Sequence, residues 1–272
     1  MDMVLDTEIC ALLADEVREC GRYAKSIQHS VRRNYKYDGT VITDADMEIS
    51  RRIVGLLTER LPEANIICEE ISTPWREEAP YSFVLDPIDG TDMYSQGFPS
   101  WAVALGMMDK VRKPVGAWIS APRWGLGVDE LFVRLDPGGT PFVNDEPLAL
   151  IGDKDAVAQV MVSSKGQSNL DFSHFSGKVR TVGSSIIHLI SPVIYPNIEA
   201  CVNQRAYIWD MCASHAVLLS MGMDINYSDG SPFLYNDEFV TKRKPYSMPI
   251  YAGTAHARAW LQSNLPVTCH NW

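Results

Sequence analysis

Several features are missing from these 272 residues, and each absence narrows the function. No apolar run reaches membrane-spanning length, so no contact with a bilayer is expected. Positive charge is scarce. Lys and Arg number 24 against 34 Asp and Glu, a formal net charge of −10. A surface of that sign repels nucleic acid and anionic membranes. The first residues are acidic and lack the basic region and apolar core of a secretory leader. Six cysteines (Cys10, Cys20, Cys68, Cys201, Cys212 and Cys269) form no C-x-x-C pair and sit mostly in apolar stretches. They read as reduced core thiols of a cytoplasmic protein. The six histidines (His29, His174, His188, His215, His256 and His270) show no H-x-x-H or H-E-x-x-H pairing. That argues against a zinc enzyme and leaves them structural or on the surface. Ser163-Ser164-Lys165-Gly166 has the composition of a phosphate loop without P-loop spacing. Repeats and low-complexity tracts are absent too.

What is present centres on Asp86-Pro87-Ile88-Asp89-Gly90-Thr91-Asp92. Tyr81 and Phe83-Val84-Leu85 predict a buried strand. Pro87 biases Asp86 away from helical geometry, so the strand should run up to that carboxylate. Gly90 permits a sharp backbone. Thr91 and Asp92 suit the cap and first turn of a short helix through Gln96, ended by Gly97 and Pro99. Carboxylates at a strand tip hold a hard cation, and helix-start N–H groups hold phosphate. Taken alone, the stretch is also ordinary turn chemistry. An EF-hand loop is excluded, because the acids fall at 86, 89 and 92 and the final Glu position is Gly97.

Upstream, Leu5, Ile9, Leu12, Leu13, Val17, Cys20, Ala24, Ile27 and Val31 recur at three and four, predicting a long amphipathic helix. Thr43 and Asp46 have capping-box spacing for a second helix, stopped by Pro62. Asp46 there is a helix-start acid on local evidence alone. Asn65–Cys68 reads as a strand tipped by Glu69-Glu70. Two acid-tipped strands in succession bring Glu69, Asp86 and Asp89 to one sheet edge. Such a cluster is costly without cations.

Downstream, strands over Trp101–Met107, Pro114–Ile119 and Leu131–Val133 form an antiparallel meander, with turns at Asp136–Gly139 and Asn144-Asp145. A boundary falls near Leu150, giving an α+β unit over 1–150 and an α/β unit over 151–272. In the second, strands are expected at Ala158–Val162, Lys178–Val182, Ile198–Val202 and Pro249–Ala252. Ser184 and Ser185 cap a helix to about Ile190, and Pro192 and Pro196 break the chain beyond it. Asp210 reads locally as the N-cap of a helix from Met211 to about Met221. A turn at Ser228–Pro232 and a helix over Ala255–Leu261 complete the chain.

In combination these pieces resemble the inositol monophosphatase family, in the magnesium-dependent, lithium-sensitive phosphatase superfamily. The resemblance rests on Lys36-x-Asp38, Val41-x-Thr43-x-x-Asp46, Glu69-Glu70, Asp86-Pro-Ile-Asp-Gly-Thr91, Gly97-Phe98-Pro99, Asn144, Arg180-x-x-Gly183-Ser184 and Trp209-Asp210. It covers roughly residues 30 to 260, in family order. It implies a layered αβαβα sandwich, usually a homodimer, that hydrolyses small phosphorylated metabolites with two or three Mg²⁺. By matching position, Glu69, Asp86 and the Ile88 carbonyl would hold one ion, and Asp86, Asp89 and Asp210 a second. A third would sit near Glu69. Thr91 and Asp46 would orient and deprotonate water. Gly90 and Thr91 N–H groups would hold phosphate. Asp210, Gly183 and Ser184 would face the leaving group.

This chain departs from the family at four points. Cys68 replaces the usual Gly before the Glu pair. Asn203 replaces the Glu with which inositol-specific members bind sugar hydroxyls. Asp92-Met93 follow Asp-Gly-Thr. The segment from Gly183 to Asp210 is about one residue longer and contains Pro192. Fructose 1,6-bisphosphate, histidinol phosphate and 3′-phosphoadenosine 5′-phosphate are therefore alternative substrates. A non-catalytic regulatory homologue is the alternative of a different class, and the retained acidic set argues against it.

Overall fold

The computed structural model describes residues 5–125, 130–149, 157–164 and 166–268. In chain order the elements are α1 (Thr7–Ile27), β1 (Asn34–Tyr35), β2 (Val41–Ile42), α2 (Asp44–Arg60), β3 (Asn65–Cys68), β4 (Tyr81–Asp89) and α3 (Thr91–Ser95). Then come β5 (Ala102–Asp109), β6 (Pro114–Ala121), β7 (Leu131–Leu135), β8 (Phe142–Val143), β9 (Glu146–Pro147), β10 (Gln159–Val162) and β11 (Lys178–Arg180). The chain closes with α4 (Ser185–Ile194), β12 (Ala200–Asn203), α5 (Cys212–Ser220), β13 (Asp224–Tyr227), α6 (Asp237–Val240), β14 (Ile250–Gly253) and α7 (Ala255–Asn264).

β3 to β9 form a seven-stranded sheet in sequence order, antiparallel except for the parallel β3–β4 pair. The second sheet has the order β11-β10-β12-β14-β13, parallel on the β10 side and antiparallel around β14. Alternation along the strands divides the core. Phe83, Leu85, Leu105, Met107 and Trp118 pack with Leu13, Val17, Ile49 and Ile53 of α1 and α2. Val84, Ala104, Ala117 and Ile119 pack instead with Ile187, Leu189, Ala213 and Val217 of α4 and α5. Cys201, Ile225 and Ala252 reach that same middle layer from the second sheet. Ala257 and Leu261 of α7 cover its outer face with Val160, Val202 and Tyr251. The layers therefore run α, β, α, β, α. Each fully buried Leu, Ile, Val or Phe contributes about 1.5–3 kcal/mol.

Three local expectations need correction. The first helix ends at Ile27, and Gln28–Ser30 is a 3₁₀ turn, so Val31 lies outside it. Pro192 does not break α4, which runs on to Ile194. A helix that ends two residues after the proline gives up little of its hydrogen bonding, and its buried flanks hold it between the sheets. A further strand, β13, forms at Asp224–Tyr227, where the sequence pattern marks none. Leu150, Lys165, Cys269 and His270 lie outside the described residues.

Candidate active site

Parallel pairing of β3 with β4 sets Cys68 opposite Leu85, and the Glu69 N–H donates to the Leu85 carbonyl at 3.2 Å. Glu69 is thereby placed beside Asp86. Cys68 is fully buried, with its thiol 3.5 Å from Ser50 Oγ on α2, and the strand keeps its register. The β4–β5 register shifts between Asp86 and Asp89, where the strand gives way to Gly90. Gly90 has φ +86°, and a Cβ there would lie 3.1 Å from the carbonyl oxygens of Gly183 and Ser100. Glycine is required on both counts. A side chain at Gly183 would in turn run into Met93 of α3. The β4 tip and the α4 approach are thus pressed backbone to backbone.

That contact positions Asp89. Its Oδ2 accepts from Ile186 N–H at 2.7 Å and from the Ser184 hydroxyl, and its Oδ1 accepts from Ser185 N–H at 3.2 Å. Ser184 is the N-cap of α4, with Oγ accepting from Ile187 N–H at 3.1 Å. Asp210 does not cap α5 as expected. Met211 holds the N-cap position, and Asp210 Oδ2 accepts from Tyr207 N–H at 2.6 Å. Tyr207 and Trp209 stack at 4.7 Å, stiffening the turn that carries it. One carboxylate oxygen each from Asp86, Asp89 and Asp210 fall within 4.8 Å of one another.

Glu69 stands apart from this trio. Its carboxylate pairs with Lys36 Nζ at 2.6 Å, and Glu70 pairs with the same ammonium at 2.5 Å. Burial works against the Lys36 charge, but the two carboxylates outweigh it and hold its pKa above the ordinary lysine range. Asp46 completes a capping box with Thr43. Its Oδ2 accepts from Thr43 N–H at 2.8 Å and Thr43 Oγ1 at 2.6 Å, while its Oδ1 lies 3.2 Å from Thr91 Oγ1. Thr91 Oγ1 also reaches the Ile88 carbonyl at 2.8 Å.

The electrostatics favour a cation. Burial and then the charges of Glu69, Asp89 and Asp210 push the Asp86 pKa well up. Burial and Asp89 do the same to Asp210. Asp89 is raised to about 6 by burial, despite its three hydrogen bonds. Asp46 is likewise raised to about 6 by burial, against the bonds from Thr43. Asp86 Oδ1 is buried with no hydrogen-bond partner. Desolvated carboxylates this close and incompletely satisfied suit an oxygen-preferring divalent ion.

Beside Ser184 lies a cavity of about 330 Å³ reached by Asn203 and His188. Asn203 Oδ1 accepts from Gln204 N–H at 2.9 Å, and its Nδ2 is buried without a partner. Sequence reasoning missed the pairing role of Lys36, read His188 as structural or on the surface, and marked Ser163 only by the phosphate-loop composition of its segment. Only the assembled layers bring His188 and Ser163 to one cavity. His215 is structural as expected, bonded to Asp224 at 2.9 Å. Asn144 is a turn residue, accepting from Phe132 N–H at 2.7 Å.

The sequence model of the inositol monophosphatase family matches residues 6–257. The chain belongs to that family. A histidinol-phosphatase of Streptomyces coelicolor is 25% identical over 207 residues, covering 72% of this chain and 77% of that one. An inositol-1-monophosphatase of Synechocystis is 22% identical over 205 residues, 71% and 69% of the two chains. The fold matches the extragenic suppressor protein suhB of Bartonella henselae at a TM-score of 0.75, with 19% identity and coverage of 95% and 98%. As a member of the inositol monophosphatase family, the chain is a phosphatase acting on small phosphorylated substrates. Among the described residues, no helix is long and apolar enough to cross a membrane.

Proposed function

We propose that the phosphatase is Mg²⁺-dependent, with Asp86, Asp89 and Asp210 holding one ion and Glu69, Asp86 and the Ile88 carbonyl another. The close trio, with Asp86 and Asp89 buried, Asp210 half-buried and Asp86 Oδ1 unpartnered, carries this reading. When bound, such ions offset charge on the phosphoryl oxygens and acidify water. The remaining steps belong to the side chains. The Gly90 and Thr91 N–H groups cradle the phosphate at the strand-to-helix turn. Thr91 Oγ1 orients water, and Asp46 takes its proton at Oδ1, the oxygen the capping box leaves free. Asp210, Gly183, Ser184 and Asn203 face the departing alcohol. For Glu69 to bind an ion, Lys36 must yield its place or share the carboxylate.

The homodimer is carried over from the resemblance. Five buried, unpaired cysteines among the described residues support the cytoplasm. The primary test measures phosphate release from inositol 1-phosphate, fructose 1,6-bisphosphate, histidinol phosphate and 3′-phosphoadenosine 5′-phosphate, with Mg²⁺ and with EDTA. One strong, EDTA-sensitive activity is expected. Undiminished release in EDTA would end the metal assignment.

A further inference from the structure

The connection between β13 and β14, residues 228–249, leaves the second sheet and reaches across to the first. Its helix α6 is pinned there. Arg112, in the turn between β5 and β6, donates to Asp237 Oδ1 at 2.6 Å and to the Tyr235 carbonyl at 3.4 Å. Tyr246, further along, is buried and packs edge-on against Phe233 at 5.5 Å and Phe239 at 6.1 Å. The short stretch from Arg243 to Tyr246 touches the supports of two of the acids. The peptide unit joining Cys68 to Glu69 is held at both poles: its N–H donates to the Leu85 carbonyl, and its carbonyl accepts from Arg243 Nη1 at 3.3 Å. The peptide unit joining Ala206 to Tyr207 is held in the same way. Its N–H donates to Asp210 Oδ2 at 2.6 Å, and its carbonyl accepts from Tyr246 N–H at 3.2 Å. The Tyr246 hydroxyl adds a bond to the Gln204 carbonyl at 3.1 Å. Burial and then the charge of Asp210 hold that hydroxyl well above the ordinary phenol range, so it stays a donor.

Arg243 has φ +52°, a left-handed conformation that favours glycine. A side chain persists there only where its surroundings hold it, and such positions gather at functional sites. Glycine would ease the backbone but could not reach the Cys68 carbonyl. Charge is not what Arg243 offers a cation, because a guanidinium one residue from Glu69 repels a divalent ion. It offers position. A carboxylate free to swing must be ordered when an ion binds, at a cost in conformational freedom. Fixing the peptide planes from which Glu69 and Asp210 are set removes part of that cost beforehand.

We infer that Arg243 and Tyr246 are positioning residues, a clasp that ties the Glu69 strand end to the Asp210 turn and sets the affinity for the divalent ion without touching it. The inference rests on the metal reading of the acids. It adds a control point outside the ligand set, in a connection that belongs to neither sheet.

The test titrates Mg²⁺ by calorimetry into the full chain without substrate, with thermal melts in EDTA alongside. Arg243→Gly and Tyr246→Phe should each raise the half-saturating Mg²⁺ concentration by about three- to tenfold, the loss of one hydrogen bond. Together they should raise it by less than the product of the two, because they cut one link. Arg243→Gly should keep its melting temperature in EDTA within about 3 °C of the parent, since glycine suits that φ. Lys244→Gln, at an exposed neighbour paired with Glu238, should leave Mg²⁺ binding within about twofold. The sign separates the clasp from simple charge. Deleting a nearby guanidinium would by Coulomb's law tighten the cation, whereas loosening the clasp weakens it. Unchanged or tighter Mg²⁺ binding in either variant overturns the clasp and leaves the metal reading standing. Effects that multiply in full belong to two separate supports and overturn it as well. A parent chain that takes up no Mg²⁺ overturns the metal reading, and the clasp with it.

Discussion

Thr91 Oγ1 has a single proton and two acceptors in reach, the Ile88 carbonyl at 2.8 Å and Asp46 Oδ1 at 3.2 Å. Both cannot receive it at once, so the hydroxyl is free to turn between holding the backbone and holding a reactant. Thr91→Val keeps the shape and removes the proton. It should lower kcat by about 10²-fold or more, as for other positioned catalytic groups. The stability loss should stay near 1 kcal/mol. A rate within twofold of the parent would remove Thr91 from the chemistry. Asp89→Asn should abolish turnover while the fold survives, since the amide oxygen can still accept from Ile186 N–H. Near-normal phosphate release would count against Asp89 as a ligand. Asp89 also carries a pH signature. Its folded pKa is raised to about 6, above the ordinary carboxylate value. A raised acid stabilises the fold only while protonated, so in EDTA its contribution is intact below about pH 4 and lost as pH rises through about 6. In EDTA, Asp89→Asn should therefore gain stability relative to the parent between pH 4 and 7.5, by on the order of 2–3 kcal/mol. Denaturant curves at both pH values measure it, and a flat difference would contradict the burial account.

At the scale of elements, the site uses the ends of α2, β4 and α4, where regular structure leaves groups unsatisfied. Asp46 both starts α2 and faces Thr91. Asp46→Ala should thus cost about 0.5–2 kcal/mol along with activity. Gly90→Ala meets a positive φ and two carbonyls at 3.1 Å, so it should destabilise by about 1–2 kcal/mol or more and lower kcat as the cradle shifts. Thermal melts and rates on the variant decide both points. Much of this was legible in the chain. Capping-box spacing located Asp46, and strand patterning before Pro87 located Asp86 and Asp89. Two acid-tipped strands were expected to end on one sheet edge, and the β3–β4 pair, which is parallel, does set Glu69 next to Asp86 along that edge. Other features depend on what a residue meets in space. Asp210 looked like a cap, yet its carboxylate turns back to Tyr207. Pro192 looked like a breaker, yet burial between two sheets outweighs one missing N–H. Asp224–Tyr227 alternates weakly beside a turn, and becomes a strand because β14 pairs with it.

Across the whole molecule, a net charge of −10 and an acidic trio with two buried members act in the same direction. Compaction gathers like charge, and a bound divalent ion relieves it. Stability should therefore rise with Mg²⁺ by mass action: at a hundredfold excess over Kd, about 2.7 kcal/mol per site, or several degrees in Tm. An unchanged Tm between EDTA and millimolar Mg²⁺ would leave the trio without a cation role.

The trio draws Asp86 and Asp89 from the first sheet and Asp210 from the turn before α5. Chains emerge from the ribosome N-terminus first. The seven-stranded sheet is therefore complete before α4 and α5 exist to cover the face that carries Val84, Ala104 and Ile119. The nascent protein must pass through a stage with an uncovered apolar sheet and two of its three acids in place. Arrival of Asp210 completes the trio, and α5, β13 and β14, which follow it in the chain, then close the core over that face. A chain stalled before residue 210 therefore keeps an apolar sheet face uncovered and lacks the third acid of the trio.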